Sequence, residues 1–190
     1  MTFNVNSAIA YTWGALGLVW LIGLAFTKRT VRSQSYGTRA FPLALVLFGF
    51  ALVGSHSFRR GWLGLRFLPD SPPWAVTGLA LTVVGCLFAI WARLILGANW
   101  SGRATVKAAH ELIVSGPYAL ARHPIYTGLL LAAAGTALVQ GEWRCILGVA
   151  LIALAFAVKI GQEERLMRLT FPQAYARYRQ KVKALIPGVF

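Results

Sequence analysis

The stretch from Trp74 to Leu96, WAVTGLALTVVGCLFAIWARLIL, decides the fold class. Its length suits a helix crossing the hydrocarbon core, which takes about 20 apolar residues, and its one charge, Arg93, falls near the end. Four further apolar runs share this character, and the five spans read as roughly 7–27, 39–56, 74–96, 124–140 and 143–161. The composition agrees: 57% of the 190 residues are hydrophobic and 13% charged, unlike an ordinary soluble domain. Spans and short links consume the chain, leaving no length for a separate soluble domain. The first run lacks a preceding basic region and a small-residue cleavage site, so it is expected to be retained as a helix.

A net charge of +14 raises the possibility of nucleic acid, but that needs Lys and Arg gathered on one water-facing surface. Here they bracket apolar segments, so no nucleic-acid partner is expected and membrane lipids are. The bracketing is uneven. If the N-terminus is outside, fifteen of the 19 Lys and Arg lie on the cytoplasmic side: Lys28, Arg29, Arg32 and Arg39; Arg93, Arg103, Lys107 and Arg122; and seven from Lys159 onward. Only Arg59, Arg60, Arg66 and Arg144 lie opposite. Positive charge near span ends stays cytoplasmic, so the link from Gly97 to His123 and the C-terminal tail are expected together on that face. Cys86 and Cys145 have no paired spacing and read as packing residues.

Small residues recur at intervals of three or four in the last two spans: Gly128, Ala132 and Gly135, then Ala153, Ala157 and Gly161. Such positions let helices approach closely in lipid, so a tight hairpin is expected, although Gly and Ala are also simply common in membrane helices. After Gly161 the chain turns amphipathic. Leu166, Leu169, Phe171, Tyr175, Tyr178 and Val182 share one face, and Pro172 marks the start of a second short helix suited to a headgroup surface. The expected fold is an all-α integral membrane protein of about five transmembrane helices with a tight C-terminal hairpin and a cytoplasmic amphipathic C-terminal helix.

Chemistry-bearing residues collect where the chain re-enters the membrane: His110 to Tyr118, Arg122 to Gly128, then Lys159, Glu163 and Glu164. Pro124 fits the first turn of a helix and pushes His123 towards extended backbone, placing it beside the open N–H groups of that turn, where a ligand carboxylate is well received. Glu163 and Glu164 are two of only five acids in the chain, and an acid at a membrane boundary is costly unless paired. A ligand ammonium is one candidate partner. Taken singly, each residue has an ordinary explanation: His123 as an interfacial histidine, Tyr118 and Tyr126 as interfacial aromatics, and Lys159 with Glu163 as an i,i+4 helix pair.

Together they form an ordered pattern. Leu96-Gly97-Ala98-Asn99-Trp100-Ser101 is followed by Gly116-x-Tyr118-x3-Arg122-His123-Pro124-x-Tyr126-x-Gly128, the double Glu, and Phe171-x3-Tyr175-x2-Tyr178-x3-Val182 before Pro187. This half of the chain resembles the isoprenylcysteine carboxyl methyltransferase family, with its phospholipid methyltransferase relatives. The resemblance implies one membrane domain over 1–190, with helices of 1–96 on the acceptor side and 97–190 as the cofactor-binding half. It implies S-adenosylmethionine held by residues matching His110, Glu111, Leu112, Ile113, Tyr118, His123, Pro124, Ile125, Tyr126, Gly128, Glu163 and Glu164. Arg103 takes a further cofactor-side position where better-known eukaryotic members have Gln. Lys159 and Arg122 are the implied catalytic candidates. Lys159 stands where those members carry an Arg that meets the substrate carboxylate, so the charge is kept and the planar fork is lost.

The implied activity is methyl transfer from S-adenosylmethionine to a lipophilic small-molecule acceptor, a carboxylate or thiol above others, in a prokaryotic cell membrane rather than the endoplasmic reticulum. Three alternatives stay open at this point. A phospholipid amine acceptor would meet repulsion from Lys159. A non-catalytic membrane protein or small transporter would carry polar residues in mid-span, whereas here they sit at span ends. A likeness to membrane steroid reductases would substitute a nicotinamide cofactor. The oligomeric state is not legible. The charge asymmetry predicts that cysteines introduced at Ser71 and at Lys183 of sealed vesicles react with an impermeant reagent from opposite sides, with Lys183 cytoplasmic; labelling of both from one side would contradict the topology.

Overall fold

In the computed structural model, residues 4–26, 30–33, 37–97, 105–107 and 112–186 are described. Six helices carry the fold: α1 (Val5–Leu24), α2 (Gly37–Gly54), α3 (Pro72–Leu96), α4 (Pro124–Gln140), α5 (Trp143–Thr170) and α6 (Pro172–Lys181). A two-stranded antiparallel ribbon, β1 (Thr30–Ser33) with β2 (Thr105–Lys107), joins the link after α1 to the link after α3. The helices start where local chemistry says they should. Asn4 accepts the N–H groups of Asn6 and Ser7 at 3.0 and 3.4 Å, and proline opens α3, α4 and α6.

Three helices, α1, α3 and α5, are long and apolar enough to cross a membrane, and α4 and residues 40–54 of α2 are shorter apolar helices. These are the five runs read from sequence, so the chain is a helical, multi-pass integral membrane protein, to which the short β1–β2 ribbon is an addition the all-α expectation lacked. The last of the five runs continues nine residues past Gly161 to Thr170 as one helix, carrying Glu163 and Glu164, and Pro172 opens the second short helix as its position suggests.

The turn between α4 and α5 is two residues long. Gly141, at φ 64°, closes α4 in the left-handed region, and a Cβ there would lie 2.8 Å from Arg66 Nη2. The small-residue faces, however, do not meet across this turn. Gly128, Ala132 and Gly135 press instead on α3: a Cβ on Gly85 would sit 2.5 Å from the Gly128 carbonyl oxygen, and one on Gly135 would sit 2.5 Å from that of Gly78. Gly148 of α5 makes the equivalent approach to Gly49 of α2, while Ala157 and Gly161 are exposed. Periodicity shows which face of a helix is smooth but not which neighbour takes it. A polar rung crosses the α1, α3 and α4 contact, with Trp13 Nε1 donating to Thr136 Oγ1 at 3.1 Å and Thr82 Oγ1 3.2 Å from the same oxygen.

Buried arginines tie off the helix ends. Arg144, fully buried, donates to the carbonyls of Leu52, Val53 and Ser55 at the end of α2 and pairs with Glu142, which also takes Arg59 at 2.6 Å. Arg93 donates to the carbonyls of Gly23 and Gly97 at 2.7 and 2.8 Å. Gln140 reaches Asn6 at 3.1 Å, and Arg66 forms a β-bridge with Glu142. One end of the bundle therefore gathers the start of α1, the α2–α3 link and the α4–α5 turn. The links after α1 and α3 meet at the other.

Gly128→Leu should destabilise the protein by about 2–3 kcal/mol or more through overpacking against α3. Gly161→Ala, which meets open space, should be neutral or stabilise by up to about 1 kcal/mol from helix propensity. Thermal unfolding in detergent separates them; equal effects would contradict the packing described.

Candidate active site

Pro124 leaves His123 outside the helix, at φ −124°, so that its ring turns towards the end of α5. Adjacent positions on α5 point about 100° apart, and the two acids there take different partners. Glu163 accepts the Tyr126 hydroxyl at 2.6 Å and lies 3.5 Å from His123 Nδ1. Glu164 accepts both Nε and Nη2 of Arg122, at 2.9 and 2.6 Å, and lies 3.4 Å from Arg179 and 3.6 Å from His123 Nε2. His123 is thus set between the two carboxylates, with its side chain 9% exposed. Its Nε2 is buried and has no hydrogen-bond partner among the described residues, since 3.6 Å to Glu164 is too long for one.

The rings form a column. His123 stacks on Tyr126 at 5.8 Å between centroids, and Tyr126 stacks on Phe156 at 4.5 Å. Phe156, Lys159 and Glu163 follow helical spacing along α5, and Lys159 Nζ stands 5.7 Å from the centre of the Tyr126 ring. Below the column lies an apolar cluster of Val53, Ala133, Ile152 and Phe156, to which α2 contributes Val46 and Phe50.

The end of the chain closes over this region. After α6, the backbone N–H groups of Arg122 and His123 donate to the carbonyls of Lys183 and Ala184 at 2.8 and 2.9 Å. Thr127 Oγ1 donates to the Leu185 carbonyl at 2.8 Å, and Arg122 Nη1 to that of Val182. Tyr178 of α6 donates its hydroxyl to the Tyr118 carbonyl at 2.5 Å. The aromatic face of α6 is accordingly turned onto the protein, with Tyr175 and Tyr178 buried, instead of lying on a headgroup surface as its amphipathic pattern suggests.

With this geometry in place the comparisons with known proteins are informative. The model of the isoprenylcysteine carboxyl methyltransferase (ICMT) family matches residues 78–169, which hold Arg122, His123, Tyr126, Lys159, Glu163 and Glu164. Over this stretch the chain is similar to that family. It is 31% identical over 115 residues to the probable protein-S-isoprenylcysteine O-methyltransferase of Oryza sativa subsp. indica, covering 59% of this chain and 60% of that one. It is 32% identical over 151 residues to the cobalt-zinc-cadmium resistance protein CzcN of Cupriavidus metallidurans, covering 77% of this chain and 59% of that protein. The chain therefore spans about 60% of the length of these curated relatives. A solved structure of the eukaryotic intramembrane Ras methyltransferase ICMT superposes with a TM-score of 0.53 at 23% identity, over 84% of this chain and 55% of that one, a likeness of fold.

Within the ICMT fold the residues singled out from sequence separate into groups. His123, Tyr126 and Glu163 come together with Lys159 beside them, and Pro124 and Ile125 form the turn that carries them. Tyr118 is buried nearby with its hydroxyl 3.4 Å from the Ala92 carbonyl; burial first, then the charge of Glu163, pushes its phenol upward. Leu112 and Ile113 are partly buried just before that turn. Gly128 faces Gly85 and Ala89 of α3, not the cluster, because its missing side chain serves helix packing. Each of the three guanidinium nitrogens of Arg122 has a protein partner, Nε and Nη2 on Glu164 and Nη1 on the Val182 carbonyl. Arg103, His110 and Glu111 lie outside the described residues.

Two features escaped the sequence. Phe156 was signalled only by its spacing from Lys159 and Glu163, and the backbone pairing of Arg122 and His123 with Lys183 and Ala184 carries no side-chain signature. The expected shortage of partners for Glu163 is also corrected: Tyr126 and His123 both engage it.

Burial alone would lower the affinity of His123 for its proton, but the two carboxylates beside it, Glu163 and Glu164, outweigh burial and hold the pKa above the ordinary 6.5. A raised folded-state value means the imidazolium's contribution is complete below the unfolded pKa and is lost as pH rises through the folded one. Wild-type thermal stability should therefore fall as pH climbs above about 6.5, and His123→Gln should flatten that part of the profile. Parallel pH profiles for the two proteins would refute the assignment.

Proposed function

We propose that this protein is an S-adenosylmethionine-dependent membrane methyltransferase whose acceptor is a carboxylate or thiolate on a lipophilic molecule. The observation that carries the reading is the His123, Tyr126 and Glu163 cluster at the start of α4, with a buried His123 nitrogen that has no hydrogen-bond partner among the described residues. The donor set fits the cofactor. Glu163 offers a carboxylate to its ammonium, and the first-turn N–H groups of α4, which have no acceptor within the helix, offer donors to its carboxylate. The orphaned His123 Nε2 adds a polar atom already desolvated. When bound, S-adenosylmethionine supplies an electrophilic methyl group.

The chain's residues hold and orient rather than move protons. The Tyr126 hydroxyl fixes one oxygen of Glu163, and the Tyr126–Phe156 stack fixes Tyr126. Lys159, one turn before Glu163 on the same helix, would meet the acceptor's negative charge. A carboxylate or thiolate needs no deprotonation, so positioning does most of the work. The Lys-rich and Arg-rich end of the bundle supports a site facing the cytoplasm, and helices α1 to α3 would shape the acceptor side.

Glu163→Gln should weaken S-adenosylmethionine binding about ten- to a hundredfold, the loss of one charge-assisted contact of roughly 1.5–3 kcal/mol, in a protein that still unfolds cooperatively. Unchanged affinity by calorimetry would remove Glu163 from the site. Lys159→Met should abolish labelled methyl transfer to small lipophilic carboxylates and thiols while the cofactor dissociation constant barely moves, and Lys159→Arg should retain part of the transfer. Full activity in Lys159→Met, or wild-type transfer to amines alone, would turn the assignment to a phospholipid-type acceptor.

A further inference from the structure

The second acid of the pair, Glu164, has a partner set of its own. Its Oε1 receives two donors of Arg122, at 2.9 and 2.6 Å, and its Oε2 faces Arg179 of α6 at 3.4 Å. The remaining terminal nitrogen of Arg122 donates to the Val182 carbonyl. One guanidinium therefore joins the end of α5 to the segment that follows α6. The same segment receives the backbone N–H groups of Arg122 and His123 through Lys183 and Ala184, and the Thr127 hydroxyl through Leu185. Ala184 is buried within this strap.

We propose that Arg122 and Glu164 are positioning residues that latch the 182–185 strap, and that the strap in turn fixes His123 through its backbone, so that Glu164 acts on the site without touching the cofactor. The physical reason lies in the position of His123. It precedes the first turn of α4, where neither helix nor loop would otherwise hold its N–H, and the Ala184 carbonyl supplies that hold. The Thr127 bond to Leu185 anchors the strap one turn further along α4. Arg122, next to His123, is occupied on both the α5 and the strap side, so loosening its pair with Glu164 releases both at once. Breaking a buried pair by removing one partner is strongly destabilising locally because the other charge is left uncompensated. The identical neighbours Glu163 and Glu164 would then do different work, one as a ligand contact and one as a latch.

The consequence for binding rests on the cofactor reading above, whereas the latch itself is read without any cofactor. The chain in detergent would be compared as wild type, Glu164→Gln, Arg122→Lys, Thr127→Val and Glu163→Gln, by hydrogen exchange of the Arg122 and His123 amides that donate to the strap, the measure of strap protection, and by the NMR signals of the His123 ring. Glu164→Gln and Arg122→Lys should lower strap and His123 protection about tenfold or more and shift the ring signals. Thr127→Val, which removes one hydroxyl and no charge, should give a smaller loss in the same amides and guards against an unfolded charge variant. Glu163→Gln should leave strap protection at the wild-type level. S-adenosylmethionine affinity, measured by calorimetry, should fall in step with protection across the first three variants. Weaker binding in Glu164→Gln with unchanged protection would make Glu164 a direct contact and overturn the latch, as would lost strap protection with unmoved His123 signals. A wild-type protein that binds no S-adenosylmethionine would overturn the functional reading alone, and the exchange and ring data would still decide the latch.

Discussion

Two carboxylates on consecutive residues, at the point where α5 leaves the apolar layer, are the constraint on which the site depends. In a chain with only five acids, each must find partners or be expelled into water. Because neighbours on a helix diverge by about 100°, Glu163 and Glu164 cannot share one partner set. The first turns to Tyr126 and the second to Arg122, and His123 is held between them at 3.5 and 3.6 Å. This single helix end thus gathers the start of α4, α6 and residues 182–185.

That gathering requires the helices beneath it to be fixed closely. The α3–α4 contact depends on glycines whose replacement would drive a Cβ to within 2.5 Å of opposing backbone, and α2–α5 uses the same device at Gly49 and Gly148. In lipid, where the hydrophobic effect does not drive helices together, close backbone approach and the Trp13, Thr82 and Thr136 contact supply the association. Arg144 and Arg93 complete the frame by donating to the last carbonyls of helix ends, which have no intrahelical N–H donors left. The match of residues 78–169 to the ICMT family model and the likeness of fold to a solved ICMT structure agree with such a bundle.

Much of this could be read from residues alone, for reasons that differ by feature. The five apolar runs are legible because lipid demands about 20 apolar residues per crossing, and the start of α4 follows from Pro124, whereas α3 begins at Pro72, ahead of the expected start at 74. The grouping of His123, Tyr126 and Glu163 follows from a two-residue turn that returns α5 beside α4. What sequence could not supply were pairings across distance. Arg122 and Glu164 are 42 positions apart, and the strap bonds run through backbone. The stripe at Gly128, Ala132 and Gly135 announces close packing, but α3 and α5 were equally eligible partners.

The most direct test of the account is the cofactor preference of the purified wild-type protein, measured by equilibrium binding of S-adenosylmethionine against NADPH in the same detergent. The cluster of one ligand-facing carboxylate, one imidazole and a helix N-terminus suits a molecule carrying both an ammonium and a carboxylate. Saturable binding of S-adenosylmethionine, displaced by S-adenosylhomocysteine and unaffected by NADPH, is the predicted result. Binding of NADPH with none of S-adenosylmethionine would contradict it.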